Sequence, residues 1–146
     1  MKLRELLDVP NPKQAIFDTV CEGLASQGFE RSIGSMQTQG ESVLVCRYRS
    51  NENHRKCAIG HLIPDDEYEE RFEFSSTSDV LFELGVKRYT TFVAVNPTEE
   101  STNAHVFLSE LQYAHDKGAT PAGMRHRLKA FAYSYQLALP ASVGIL

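Results

Sequence analysis

The sequence predicts an α+β fold: a mostly helical single domain over residues 1–146, with about four to five helices and a central antiparallel β-hairpin. Two observations carry this prediction. Apolar residues recur at helical spacing over the first and last parts of the chain, whereas residues 43–68 contain extended runs joined by a polar turn. A hydrophobic content of 42% and an aromatic content of 10% over 146 residues are typical of a folded domain.

The N-terminal part predicts two helices. Residues 1–9 are amphipathic, and Asn11 followed by Pro12 is typical of a helix start, with an asparagine N-cap and a proline in the first turn. Gly28 fits the left-handed residue that ends a helix. The polar run over residues 30–42 predicts a loop with at most one weak strand. The apolar face of the second helix consists of Ile16, Phe17, Val20 and Leu24.

The central hairpin is predicted from residues 43–59. A strand from Val43 is followed by the polar turn Ser50–Asn53 and by a second extended run, Arg55–Ile59. A turn centred on this polar run places Cys46 directly opposite Cys57, with Cβ atoms roughly 4.5–5.5 Å apart. A shift of one residue in the register would separate the two thiols.

The two cysteines allow four interpretations. They are small buried hydrophobic residues, a redox-sensitive pair, a nucleophile paired with a histidine, or ligands of a metal. A strand keeps Cys57 and His61 roughly 13 Å apart, which weakens the nucleophile interpretation. No metal and no cofactor is predicted, because the spacing matches no standard zinc motif. The candidate metal ligands are Cys46, His54, Cys57 and His61.

Charged residues cluster in and after the hairpin. A basic group lies on the hairpin, and an acidic run begins at Asp65, where it predicts a helix start. Charges of this kind also protect strand edges or form a solvated helix face, and Asp65 with Glu69 offers oxygen ligands for a metal. We expect the exposed charges to contact a partner. The predicted partner surface consists of Arg47, Arg49, Arg55, Lys56, Asp65, Asp66 and Glu69.

The C-terminal half predicts three further elements and one ambiguous run. Ser75–Ser78 caps a short helix that Gly85 ends, and residues 86–95 fit either a strand or a buried helix turn. Asn96–Pro97 opens the clearest helix of the chain, which ends at Gly118. Thr120–Pro121 opens the last helix, which reaches Pro140, and the apolar tail 141–146 tucks against a neighbour or frays.

Three histidines of this half do not predict a shared site. His105 and His115 are ten residues apart, which is roughly 15 Å along one helix. We therefore expect His105, His115 and His126 to occupy surface or boundary positions.

Composition restricts the classes of function. A net charge of −4 makes direct binding of nucleic acid unfavourable. The chain contains no phosphate-binding loop, no dinucleotide-binding glycine turn and no hydrolase elbow. Three cysteines suit a reducing compartment, and no segment has the pattern of a signal peptide or a membrane span. These features predict a cytoplasmic protein with no membrane partner.

Two blocks of the sequence resemble a known group of proteins. The block KCAIGHLIPDDEY over residues 56–68, with CRYR over residues 46–49 before it, resembles small uncharacterised proteins of bacteriophages and prophages. The block LSELQYAHD over residues 108–116 resembles their second block. The resemblance implies a phage or mobile-element origin and assigns no catalytic residue. It favours His115 and Asp116 as a polar anchor between the helix and the hairpin.

We therefore expect a phage or mobile-element accessory protein that binds and modulates a host macromolecule without catalysis. An inhibitor of bacterial defence, such as an anti-CRISPR protein, is one such activity. The expected partner is a bacterial or phage protein, or a protein–nucleic acid complex. The alternative is a metal- or thiol-dependent hydrolase that uses Cys46, Cys57 and His61.

Overall fold

A computed structural model describes residues 3–92 and 100–144. It confirms the predicted α+β class, with helices, a two-stranded antiparallel hairpin and a second small sheet. Two short 3-10 helices lie in the middle of the chain. In chain order the elements are α1 (Leu3–Leu7), α2 (Pro12–Ser26), β1 (Ile33–Thr38), β2 (Glu41–Cys46), the first 3-10 helix (Ile59–Leu62), the second 3-10 helix (Glu70–Phe74), α3 (Thr77–Glu83), β3 (Thr91–Phe92), β4 (Thr102–Asn103), α4 (Ala104–Asp116), α5 (Pro121–Tyr135) and α6 (Ala141–Gly144).

Three long helices build the hydrophobic core. Phe17 of α2 stacks on Phe131 of α5 with ring centroids 5.6 Å apart, and Phe107 of α4 packs edge-on against Phe131 at 5.1 Å. The first 3-10 helix lies against both α2 and α4. α6 packs on α2 and α5, and its Val143 is fully buried. Residues 141–144 of the tail therefore pack against the core.

The predicted starts of α2, α3 and α5 agree with the structure, and a side-chain hydroxyl caps α3 and α5. The hydroxyl of Thr120 accepts from the N–H of Gly123 at the start of α5, and the hydroxyl of Ser76 accepts from the N–H of Asp79 at the start of α3. α4 begins later than predicted, at Ala104 with Asn103 as its N-cap. The predicted start at residues 96–97 lies outside the described residues, as do residues 93–95 of the ambiguous run.

The hairpin lies earlier in the chain than predicted. β1, within the region predicted to be a loop with at most one weak strand, pairs with β2 through a two-residue turn at Gln39 and Gly40. Both turn residues have positive φ, as the tight turn of a right-twisted hairpin requires, and glycine adopts this conformation without strain. Cys46 pairs with Ile33, so the predicted pairing of Cys46 with Cys57 is wrong.

The predicted turn after residue 50 exists, but it closes only a small loop. Arg49 and Lys56 form an isolated antiparallel bridge, and the N–H of Ser50 donates to the carbonyl of Arg55 at 2.8 Å. The chain then leaves the strand direction, because residues 59–62 form the first 3-10 helix. The predicted second strand is therefore reduced to this bridge.

Glycine allows two close approaches around the first 3-10 helix. A Cβ atom at Gly60 would overlap the backbone carbonyl oxygen of Tyr48. A Cβ atom at Gly23 of α2 would overlap the imidazole of His61. The glycines thus let this irregular segment pack directly on the bridge and on α2.

Two other expectations are corrected. Residues 65–67 form a turn and not a helix start, and the next element is the second 3-10 helix. His105 and His115 are buried, whereas His126 is exposed. His105 bridges two elements, with Nε2 2.7 Å from the carbonyl oxygen of Val86 and Nδ1 2.9 Å from the hydroxyl of Ser78.

We predict that Gly60→Ala destabilises the protein by roughly 2 kcal/mol, since an added methyl group must displace backbone in a packed interior. Chemical denaturation of the purified variant measures this change. Gly144→Ala is the matched control, because a Cβ atom there meets nothing within 4 Å. Equal stability of the two variants would contradict the close approach at Gly60.

A second prediction concerns acid stability. Burial, with added repulsion from Lys56 and His115, lowers the pKa of His61 from 6.5 to about 4. Between these values the unfolded chain binds more protons than the folded one, so stability falls as the pH drops from 6.5 towards 4. The contribution of His61 to this loss is up to roughly 3 kcal/mol. Denaturation of wild type and His61→Gln across pH 4–7 measures it, because glutamine keeps a donor for Gln27 but does not titrate.

The two stability curves should therefore converge as the pH is lowered, because only the wild type loses the contribution of His61. His126→Gln, which changes an exposed histidine, should leave the pH dependence unchanged. Parallel curves for wild type and His61→Gln would refute the prediction.

Candidate functional site

A basic cleft gathers several of the predicted contact residues. It lies between the bridge at residues 49 and 56 and the second 3-10 helix, and its volume is about 390 Å³. The lining includes three permanently positive side chains, one histidine and one carboxylate. The lining residues are Arg47, Arg49, Ser50, Asn51, His54, Lys56, Tyr68 and Glu70.

Arg47 is the most buried cation of the basic cleft. Its side chain is only 4% exposed and lies over Gly34 of β1, where a Cβ atom would overlap Cδ of the arginine. Nε donates to the carbonyl of Arg49 at 3.1 Å and Nη2 to the carboxylate of Glu70 at 2.7 Å. Arg47 was predicted to be an exposed contact residue. Its exposure was predicted wrongly, because its guanidinium lies inside the protein.

Arg49 lies beside Arg47 and is held on three sides. Nη2 donates to the carbonyl of Ile63 at 2.9 Å and lies 2.8 Å from the carboxylate of Asp65. The guanidinium carbon lies 4.5 Å from the ring centroid of Tyr68, within the range of a cation–π contact. Its Nε is buried and has no hydrogen-bond partner among the described residues.

The buried carboxylate of Glu73 binds the backbone next to the two arginines. It accepts from the N–H of Tyr48 at 2.9 Å, from the N–H of Arg49 at 3.1 Å and from the hydroxyl of Tyr68 at 2.5 Å. These bonds join the second 3-10 helix to residues 48 and 49, which follow β2. The position of the cleft walls therefore depends on Glu73.

The remaining predicted contact residues separate into two groups. Lys56 lies in the cleft with Nζ 3.8 Å from Asp65, whose side chain is 86% exposed. Arg55 turns instead towards Glu30, and Glu69 pairs with Arg71. Asp66 is exposed in the turn before the second 3-10 helix. Arg47, Arg49, Lys56 and Asp65 thus form one site, which the other three predicted residues do not join.

The hairpin extends this site. Because directly paired residues of an antiparallel hairpin point to the same face, Val45 and Val43 share the face of Gly34, on which Arg47 lies. Val43 is 36% exposed on this face, and Leu44 is 73% exposed on the opposite one. The position of this strip beside Gly34 was not predicted, because residues 30–42 were expected to form a loop with at most one weak strand.

The positions of Cys46, Cys57 and His61 do not support the hydrolase alternative. Cys57 is fully buried, its Sγ accepts from the N–H of Gly60 at 3.3 Å, and burial raises the pKa of its thiol. Cys46 is exposed at the end of β2. His61 lies with Nε2 3.0 Å from the amide oxygen of Gln27. Cys46, Cys57 and His61 therefore form no common reactive centre. Among the described residues, the four candidate metal ligands do not come together as a metal site either.

A different cluster, which sequence analysis missed, contains Cys46, His115 and Asp116, with one ligand atom of each within 4.8 Å of the others. Nε2 of His115 accepts from the N–H of Ser32 at 3.0 Å, so the ring proton lies on Nδ1 and is donated to Asp116 at 2.9 Å. A metal on Nδ1 would move this proton to Nε2, where it would face the N–H of Ser32. The basic nitrogen is equally unavailable to the Cys46 thiol. The cluster therefore suits neither a metal nor a thiol nucleophile.

His115 and its neighbour Gln112 bind backbone N–H groups of other segments, so the C-terminal part of α4 is a polar anchor. Nε2 of His115 accepts a hydrogen bond from the N–H of Ser32. Oε1 of Gln112, one turn earlier on α4, accepts a hydrogen bond from the N–H of Ile59 at 2.9 Å. The amide nitrogen of Gln112 donates in turn to Asp116 at 2.8 Å. The hydrogen bond of Gln112 thus joins residues 108–116 to residues 56–68, and that of His115 joins them to the residue before β1.

Comparison of the chain with protein-family models, curated proteins and solved structures finds no match. Among residues 3–92 and 100–144, no helix combines the length and apolar character that crossing a membrane demands. Any statement on function therefore depends on the chemistry of the basic cleft and the hairpin.

We predict that one thiol reacts with a colorimetric disulfide reagent in the folded protein and three react in denaturant. Cys46 is exposed, whereas Cys21 and Cys57 are buried and burial raises the pKa of both. Partial burial, with the carboxylate of Asp116 next in effect, also raises the pKa of Cys46, so its reaction should be slower than that of a free thiol. Cys46→Ser should remove the reaction of the folded protein, and early labelling of Cys57 would show that this interior is open.

Proposed function

We propose that the protein is a phage or mobile-element accessory protein that binds a bacterial or phage macromolecule and modulates it without catalysis. Inhibition of a bacterial defence system, as by an anti-CRISPR protein, is the form of modulation we favour. The observation that carries the binding proposal is the basic cleft, which continues into the apolar strip on the same side of the hairpin. The resemblance of residues 56–68 and 108–116 to phage proteins supports the origin.

The composition of this face is that of a protein–protein interface. A central apolar part with a polar, charged border is the usual arrangement, and arginine is enriched at such contacts. Here Val43 and Val45 supply the apolar part, while Arg49, Lys56 and Asp65 supply charges at the border. The net charge of −4 supports a protein partner over bare nucleic acid.

The separation of the reactive residues also favours binding over catalysis. Cys57 lies in the core, His61 hydrogen-bonds to Gln27, and the ring nitrogens of His115 are both committed to structural hydrogen bonds. A thiol catalyst needs an accessible thiolate beside a base that is free to take a proton. None of these three side chains meets that requirement.

We predict that Val43→Asp and Lys56→Glu each weaken partner binding by roughly tenfold, because a buried apolar contact or a favourable charge contact becomes a repulsive one. The measurement is affinity capture from bacterial lysate at moderate salt, followed by quantitative mass spectrometry. The partner is then purified and its affinity for each variant is measured.

Two matched variants serve as controls. Leu44→Asp alters the adjacent residue on the opposite face of the hairpin, and Lys87→Glu reverses an exposed charge that does not line the cleft. Both should bind the partner as the wild type does. A partner whose affinity responds to Leu44→Asp and not to Val43→Asp would refute the proposed face.

A further inference from the structure

We infer that the basic cleft binds a single carboxylate of a partner protein. This carboxylate belongs to an aspartate or glutamate that is flanked by basic residues, and it replaces Glu70 as the partner of Arg47. This inference rests on the proposed function and names the chemistry that the cleft recognises. It follows from the present partner of Arg47, from an unsatisfied donor on Arg49, and from the acidic border of the cleft.

Glu70 shows which group the cleft accepts. Nη2 of Arg47 donates to its carboxylate at 2.7 Å, yet the Glu70 side chain is 71% exposed while that of Arg47 is 4% exposed. The buried cation is therefore covered by a largely solvated carboxylate from the second 3-10 helix. A carboxylate from a partner can form the same charge-assisted bond, so that the buried Arg47 keeps an anionic partner in the complex.

Arg49 supplies a second donor. Its Nε is buried without a hydrogen-bond partner among the described residues, and an unsatisfied buried donor is energetically unfavourable. Arg49 lines the same cleft as Lys56 and His54. A ligand carboxylate brings two oxygens to the cations of the cleft, whereas Glu70 pairs with Arg47 alone among them.

The surroundings favour an isolated carboxylate over a phosphate chain. Asp65 contacts Arg49 and Lys56 from outside the cleft, and the exposed Asp66 and Glu69 follow it in the chain. This acidic border repels a polyanion and attracts a positively charged surface. A partner that matches both charges therefore presents one acidic side chain among basic ones.

The test uses the full chain and two synthetic peptides with blocked ends. One is Lys-Lys-Glu-Lys-Lys and the other has glutamine at the central position, so that the ratio of their affinities isolates the carboxylate. NMR titration of the isotope-labelled protein, followed at the arginine Nε–H signals, measures both affinities. The wild type should prefer the glutamate peptide, with shifts at Arg47 and Arg49.

Glu70→Gln should raise the preference for the glutamate peptide by about two- to fivefold, because the internal competitor is removed. Glu83→Gln is the matched control: it removes the same negative charge from a residue that pairs with Arg71 and does not line the cleft, so the preference should not change. Equal affinity for the two peptides in both wild type and Glu70→Gln would overturn the inference. Tighter binding of a single-stranded oligonucleotide at the same arginines would overturn it in favour of phosphate.

These outcomes separate the inference from the proposed function. Loss of the peptide preference, with partner capture still sensitive to Val43→Asp, would refute only the carboxylate assignment. Retention of the preference, with partner capture insensitive to Val43→Asp and Lys56→Glu, would refute the proposed binding face and leave the carboxylate site.

Discussion

The fold depends on satisfying the peptide groups of an irregular segment that lies in the interior. Between the hairpin and the second 3-10 helix the chain forms neither a long helix nor a sheet, yet buried N–H groups need acceptors. Side chains from other elements supply them: Glu73 accepts from residues 48 and 49, Gln112 from Ile59, and Gln27 from Lys56. Because each acceptor comes from a different part of the chain, these bonds tie α2, α4 and the second 3-10 helix to one segment.

The basic cleft is a consequence of this arrangement. Glu73 holds the backbone of residues 48 and 49, and Gly60 lets the first 3-10 helix approach the carbonyl of Tyr48. With the backbone fixed, Arg47 is directed inward over Gly34 and Arg49 is directed over Tyr68. The charges of the cleft are therefore preorganised by interior hydrogen bonds, which lowers the entropy lost on binding a ligand.

Part of the site could be predicted from the sequence. The density of charge over residues 47–56 follows directly from the composition of that stretch. The pairing of Cys46 could not be predicted, because a polar strand with a glycine carries no alternating apolar signal and the actual hairpin turn, Gln39–Gly40, is not one of the common turn pairs. Burial of Arg47 was equally hidden, since an arginine next to exposed charges has the sequence pattern of a surface residue.

The sequence by itself determined the α+β class, the starts of α2, α3 and α5, and the apolar faces of the long helices, because caps and helical periodicity are local signals that act within a few residues. Only the tertiary structure decided which strands pair, which histidines are buried and where the charged residues meet. Those features depend on contacts between residues far apart in the chain, such as Ser32 with His115 and Tyr48 with Glu73, and their hydrogen bonds form only once the helices have packed.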